Sequence, residues 1–132
     1  MSLIINTPFG CPAQHWVEGK GGKLEIKPER RPASYEVFDA RNNTKRTEVL
    51  DLVNTIRARV DQWREDGWPG VTIVTRKLLE HWYDRDARQY PFYFCQLEAI
   101  ETLIWWVEGA EAHKQGIAIP GDGGAWERLC NK

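Results

Sequence analysis

Gln96 is the residue whose type and place most plainly call for a chemical partner. It lies in "YPFYFCQLEAIETLIWWVEG", Tyr90 to Gly109, the most apolar stretch of the sequence. On a helical period, Ile100, Leu103 and Val107 fall within about 40° of it, and Glu98, Glu101 and Glu108 fall on the opposite half. This spacing predicts an inward face with Gln96 at its centre, in the first turn. An amide buried there without partners costs about 1–3 kcal/mol. Two arrangements satisfy it: a neighbouring loop backbone or water at the helix end, or a ligand edge with a matching donor and acceptor. Adenine offers such an edge at N6 and N7.

Other constellations point to less. Glu25-Ile26-Lys27 has the closing spacing of a Mg²⁺-dependent nuclease site, where carboxylates hold the metal and a lysine steadies hydroxide. No aspartate precedes it in the chain, so it reads as a strand with its charges outward. Cys11 and His15 share no ligand spacing with His81, Cys95, His113 or Cys130, and no metal site is expected. Nothing near any of the three cysteines lowers a thiol pKa for nucleophilic work. "GKGGK" at Gly19 to Lys23 lacks the spacing and the strand-to-helix setting of a phosphate loop, and His81-Trp82 reads as a helix face on the core.

Charge is distributed unevenly. Overall the net charge is −1, yet Gly19 to Arg46 carries eight basic residues against four acids. Lys23, Lys27, Arg30, Arg31, Arg41, Lys45 and Arg46, with Tyr35 and Phe38 among them, are candidate phosphate contacts of sequence-indifferent, salt-dependent affinity. The other reading of the same residues is a solvated basic edge that discourages strand pairing.

The elements that must position these groups follow from patterning. "SLIIN", "KLEIK" and "SYEVFD" read as short strands between Gly- and Pro-bearing turns. Val49, Leu52, Val53, Ile56, Val60 and Trp63 recur on a helical period, with Glu48 and Asp51 in the first turn and Gly67 and Pro69 at the stop. A second helix is expected over roughly residues 75–83 with Leu78, Leu79 and Trp82 inward. The third is the segment around Gln96, ending near Gly109. "HKQGIAIPGDGG" is a loop and "AWERLCNK" a strand. Three widely spaced cysteines, no signal peptide and no uninterrupted apolar span predict a reducing, cytoplasmic setting with no membrane segment.

"YPFYFCQLEAIETLIW" resembles the adenine-sensing glutamine segment of DEAD/DEAH-box (superfamily 2) helicases, an aromatic lead-in followed by Gln-x-x-Ala-Ile. More narrowly, the chain resembles the N-terminal region of the Res subunits of type III restriction enzymes. That likeness runs through "RRPASYEVFDARNNTKRTEVLDLVNTIR", "GWPGVTIVTRKLLEHW", "RQYPFYFCQLEAIETLIW" and "IPGDGGAWERLCNK", from about Trp16 to the end. The resemblance implies that Gln96 reads adenine of ATP in the complete protein, with Phe94 or Tyr93 near the base and Arg88 flanking it.

It also implies that "RLCNK" leads into a Gly-x-x-x-x-Gly-Lys-Thr/Ser loop that this sequence does not contain. That loop would supply the phosphate-binding N–H groups, the lysine and the Mg²⁺ hydroxyl. The expected fold is therefore α+β: a β and loop region over 1–46, a helical accessory region over 47–86, and a glutamine-bearing helix with the first strand of an incomplete RecA-like domain over 87–132. The expected function is a truncated, ATP-dependent helicase-type piece, not catalytic and binding no cofactor tightly alone. Its expected partners are DNA, the remainder of the helicase, or a second copy through an exposed C-terminal strand bearing Trp126 and Leu129. The alternative is a free-standing DNA- or protein-binding module built on residues 19–46.

Overall fold

The computed structural model describes residues 4–120. Two antiparallel ribbons come first. Strand β1 (His15–Glu18) pairs with β2 (Leu24–Lys27), His15 opposite Lys27 and Glu18 opposite Leu24. The turn between them holds Gly21 and Gly22 at φ 75° and 73°, backbone that side chains with a Cβ resist. Strand β3 (Ser34–Asp39) pairs with β4 (Thr44–Val49), Ser34 opposite Val49 and Asp39 opposite Thr44. Asp39 closes this second hairpin by accepting from the Arg41 N–H and the Asn42 side chain, a short-range bond that fixes turn geometry.

The ribbons form two separate sheets, and no residue of any strand is buried. Charged side chains occupy both faces of β3–β4, so neither face can be buried cheaply. "KLEIK" and "SYEVFD" are strands as expected, while Ile4, Ile5 and Asn6 of "SLIIN" are not. Strand β4, "TKRTEV", carries the chain as extended backbone to Val49. Helix α1 (Asp51–Glu65) therefore starts later than Val49 and Glu48 suggest. The cause is a clamp on Ala33: its carbonyl accepts from the Leu50 N–H and the Asn54 side chain, and its N–H donates to Asn54 Oδ1.

The core lies wholly among the helices. Val60 and Trp63 of α1, Leu79 of α2 (Ile73–Tyr83) and Trp105 of α3 (Phe94–Glu108) are buried together, with Ile56, Trp68, Val71, Trp82, Ile104 and Ile117 packed around them. Thr72 caps α2, its hydroxyl accepting from the Thr75 N–H at 3.2 Å. Leu79 faces inward and Trp82 is half-buried, but Leu78 is exposed, against expectation. His81 is exposed as well. The loop after α1 is tied down by Trp63 Nε1, which donates to the Pro69 carbonyl at 2.9 Å.

Helix α3 is turned by roughly 130° from its expected orientation. Its buried residues are Leu97, Glu101 and Trp105, while Gln96, Leu103 and Val107 are exposed and Ile100 is half-buried. The wheel placed Glu101 outward because it is a carboxylate. In the fold Glu101 is fully buried and satisfied by Arg64 and Trp68. Burial of the Trp105 ring on this face carries Glu101 inside, where Arg64 and Trp68 compensate its charge.

The architecture is α+β. Among the described residues no helix is long and apolar enough to cross a membrane. The C-terminal strand expected in "AWERLCNK", with Trp126, Leu129 and Cys130, lies outside them.

Candidate nucleotide-base site

The lead-in to α3 is held by rings. Asp84 caps a 3₁₀ turn over Arg85–Ala87, accepting from the Asp86 N–H. Arg88 then lays its guanidinium over the Phe92 ring at 4.5 Å, and Trp82 meets the same ring edge-on at 5.8 Å. Tyr93 stacks on Phe9 at 5.4 Å with an interplanar angle of 17°. The Pro8 carbonyl accepts from the Phe94 N–H at 2.8 Å, which binds the N-terminal segment to the start of the helix. Arg30 covers Phe94 at 5.2 Å.

Gln96 stands at the third position of α3, and its Oε1 accepts from the Tyr93 N–H at 3.1 Å. This is the return half of a capping box, with the side chain satisfying a backbone donor that no helical carbonyl can reach. The residue is exposed, so the cost of burial that motivated the sequence reading does not arise. The amide faces a local backbone partner and solvent, and Tyr93, half-exposed, lies beside it.

Phe94, Phe92, Phe9, Trp82 and Tyr83, with Arg64, Arg85 and Asp61, line a cavity of about 210 Å³. Of the four residues assigned to the base, Phe94 lines this cavity; Gln96, Tyr93 and Arg88 do not. Arg64, in its wall, pairs with Glu101. Burial, and after it the Glu101 carboxylate, push the Tyr83 hydroxyl well above the usual phenol pKa. Phe9, Arg64 and Glu101 escaped the sequence reading. Phe9 sits in a Pro-Phe-Gly turn far from Tyr93 in sequence, and no periodic signal links the two.

Most of the basic candidates have acidic partners. Lys27 pairs with Glu29 at 2.7 Å, Lys45 with Glu36 at 2.9 Å, Arg46 with Glu48 at 3.0 Å and Arg30 with Glu98 at 2.7 Å. Lys27 and Lys45 hold the Glu29 and Glu36 carboxyls below their ordinary pKa values. Arg31 lies 3.7 Å from Glu36, and Lys23 and Arg41 make no ion pair among the described residues. These pairs cancel much of the local positive excess.

Glu25 and Lys27 lie on β2, whose residues are all exposed. Among the described residues no three His, Cys, Asp or Glu side chains converge as metal ligands. The sequence matches no model of a protein family, no characterised protein and no solved structure.

Proposed function

We propose that residues 88–96 are the base-reading side of an ATP site in a helicase-type restriction protein of the Res-subunit kind, acting in the cytoplasm. The observation carrying this reading is the exposure of Gln96 beside the half-exposed ring of Tyr93, on a turn fixed by the Phe9 stack and the Arg88–Phe92 contact. An amide with a donor group and a further acceptor lone pair, next to an aromatic face, suits a purine edge and its π-surface. The triphosphate half comes from a Gly-rich loop that this sequence does not contain, so this chain alone is not catalytic. The exposed Leu103 and Val107 of α3 offer an apolar face to the rest of such a protein.

The test is saturation-transfer NMR with adenosine monophosphate and guanosine monophosphate on the 132-residue chain and on Gln96→Ala. The adenine nucleotide should bind weakly, at millimolar concentration or above, and lose saturation in the variant. Equal binding of both bases, or no change in the variant, refutes the reading.

A second reading draws on the β3–β4 ribbon, where Phe38 is exposed opposite Lys45 and Tyr35 is exposed on the other face. Aromatic faces next to cations suit a nucleic-acid strand. Because Lys45 and Arg46 are already paired, duplex DNA should bind weakly, with a shallow salt dependence in fluorescence anisotropy. Absence of binding at low salt ends this reading.

A further inference from the structure

Arg57 is a cation of α1 that neither reading uses. Its Nε is shielded from solvent and makes no hydrogen bond among the described residues; the nearest carboxylate oxygen, Glu98 Oε1, is 3.5 Å away. Arg57, Arg30 and Arg31 wall one cleft of about 330 Å³, together with His15, Asn6 and Gln14. Three arginines from two distant segments thus line one space.

The carboxylates around it cancel them only in part. Glu98 accepts both Arg30 Nη groups, at 2.7 and 3.0 Å, and contacts Arg57, but it lines the neighbouring groove between α1 and α3 and not this cleft. It anchors the two arginines from behind and raises the pKa of Arg30 further. Glu36 lies closer to Lys45 than to Arg31, and Glu29 is held by Lys27.

The polar rim is fixed by its own bonds. Asn6 donates to the Gln14 carbonyl and accepts from the Ala13 N–H, Gln14 donates to the Ile5 carbonyl, and His15 Nδ1 donates to the Glu29 carbonyl at 2.7 Å. That bond fixes the ring and leaves Nε2 as its second polar atom.

We propose that this cleft binds a phosphoryl group, held by the forks of Arg57 and Arg31 with Arg30 beside them. Guanidinium forks match the oxygens of a phosphate in geometry as well as charge. The phosphoryl group has two possible carriers, a free nucleotide or a nucleic-acid backbone. The site does not depend on the base-reading proposal, because neither Gln96 nor Tyr93 lines the cleft.

The experiment titrates inorganic phosphate into the ¹⁵N-labelled 132-residue chain at constant ionic strength and follows the arginine Nε–H signals. Saturable shifts at Arg57 and Arg30 are expected, with affinity reduced about tenfold in Arg57→Gln and in Arg31→Gln. Arg31 is exposed, so its variant carries the test if Arg57→Gln does not fold. Shifts that do not saturate, that chloride reproduces, or that survive the substitutions overturn the proposal.

Adenosine monophosphate and a short oligodeoxynucleotide are then added as competitors. Displacement by either supports the site, and the stronger competitor identifies the carrier. Failure of both to displace phosphate overturns assignment to a phosphoryl carrier. No base is present in the phosphate titration, so its outcome is separate from that of the Gln96 test.

Discussion

Arg64 of α1 grips the fully buried carboxylate of Glu101 in α3, with Nη2 2.6 Å from one oxygen and Nε 2.9 Å from the other. Trp68 Nε1 adds a third donor at 3.0 Å. The carboxylate is thus satisfied by its neighbours, and the pair joins α3 to α1. Removing one partner leaves an uncompensated charge inside, so Arg64→Ala should cost about 3–5 kcal/mol. Replacing both with apolar residues, Arg64→Met with Glu101→Leu, should cost far less than the two single changes together. Denaturant melts of the four proteins in that cycle measure the coupling, and independent, additive effects would show that the pair does not organise the helices.

Tyr83 lies against the same pair, and its hydroxyl pKa is raised above the ordinary 10.0, first by burial and then by Glu101. Its proton is therefore held more tightly in the folded state than in the unfolded state. The corresponding stability is fully present below pH ~10 and is lost as the pH rises towards the folded-state pKa. Stability should fall on the alkaline side more steeply in the wild-type chain than in Tyr83→Phe. Urea melts of the two proteins at neutral and at alkaline pH give the difference, and parallel slopes would remove Tyr83 as the cause.

Gln96 has a structural role separate from any ligand. Its side chain caps the Tyr93 N–H at 3.1 Å, so Gln96→Ala should lower stability by about 0.5–1 kcal/mol while Gln96→Glu retains most of the bond. Hydrogen exchange at the Tyr93 amide reads this directly. It should speed up in the alanine variant and stay slow in the glutamate variant. The small cost also means that lost nucleotide binding in Gln96→Ala cannot be ascribed to unfolding.

The parts of this fold legible in the sequence are those governed by local rules. The α1 stripe through Val60 and Trp63, the stop near Gly67, and the strands at Leu24–Lys27 and Ser34–Asp39 all follow from periodicity and turn residues. What escaped depends on partners distant in sequence. The buried face of α3 brings Glu101 to Arg64, and a wheel that scores each carboxylate as outward cannot represent that pair. Strand β4, "TKRTEV", has too few apolar residues to signal a strand and is specified by its pairing with β3. In the candidate site, Tyr93, Phe94 and Gln96 stand out by type, but Phe9 and Arg57 join their sites only through tertiary contact.

Gly70 marks a close approach of two backbone segments. Its φ is 96°, and a Cβ there would lie 2.7 Å from Ala110 N and 2.9 Å from Glu108 O, where the loop after α1 meets the end of α3. The Ala110 N–H donates to the Pro69 carbonyl across the same seam. Gly67, in the same loop, also has positive φ, 83°, but its nearest contact is the tip of the Arg76 side chain at 3.7 Å. Gly67→Ala should therefore show backbone strain alone, about 1 kcal/mol. Gly70→Ala adds a backbone clash that neither segment can relieve without parting, and should cost about 3 kcal/mol. Thermal melts of the two variants, side by side, isolate the close approach from the shared φ. Equal losses would mean that the loop and the end of α3 do not pack as tightly as the seam implies.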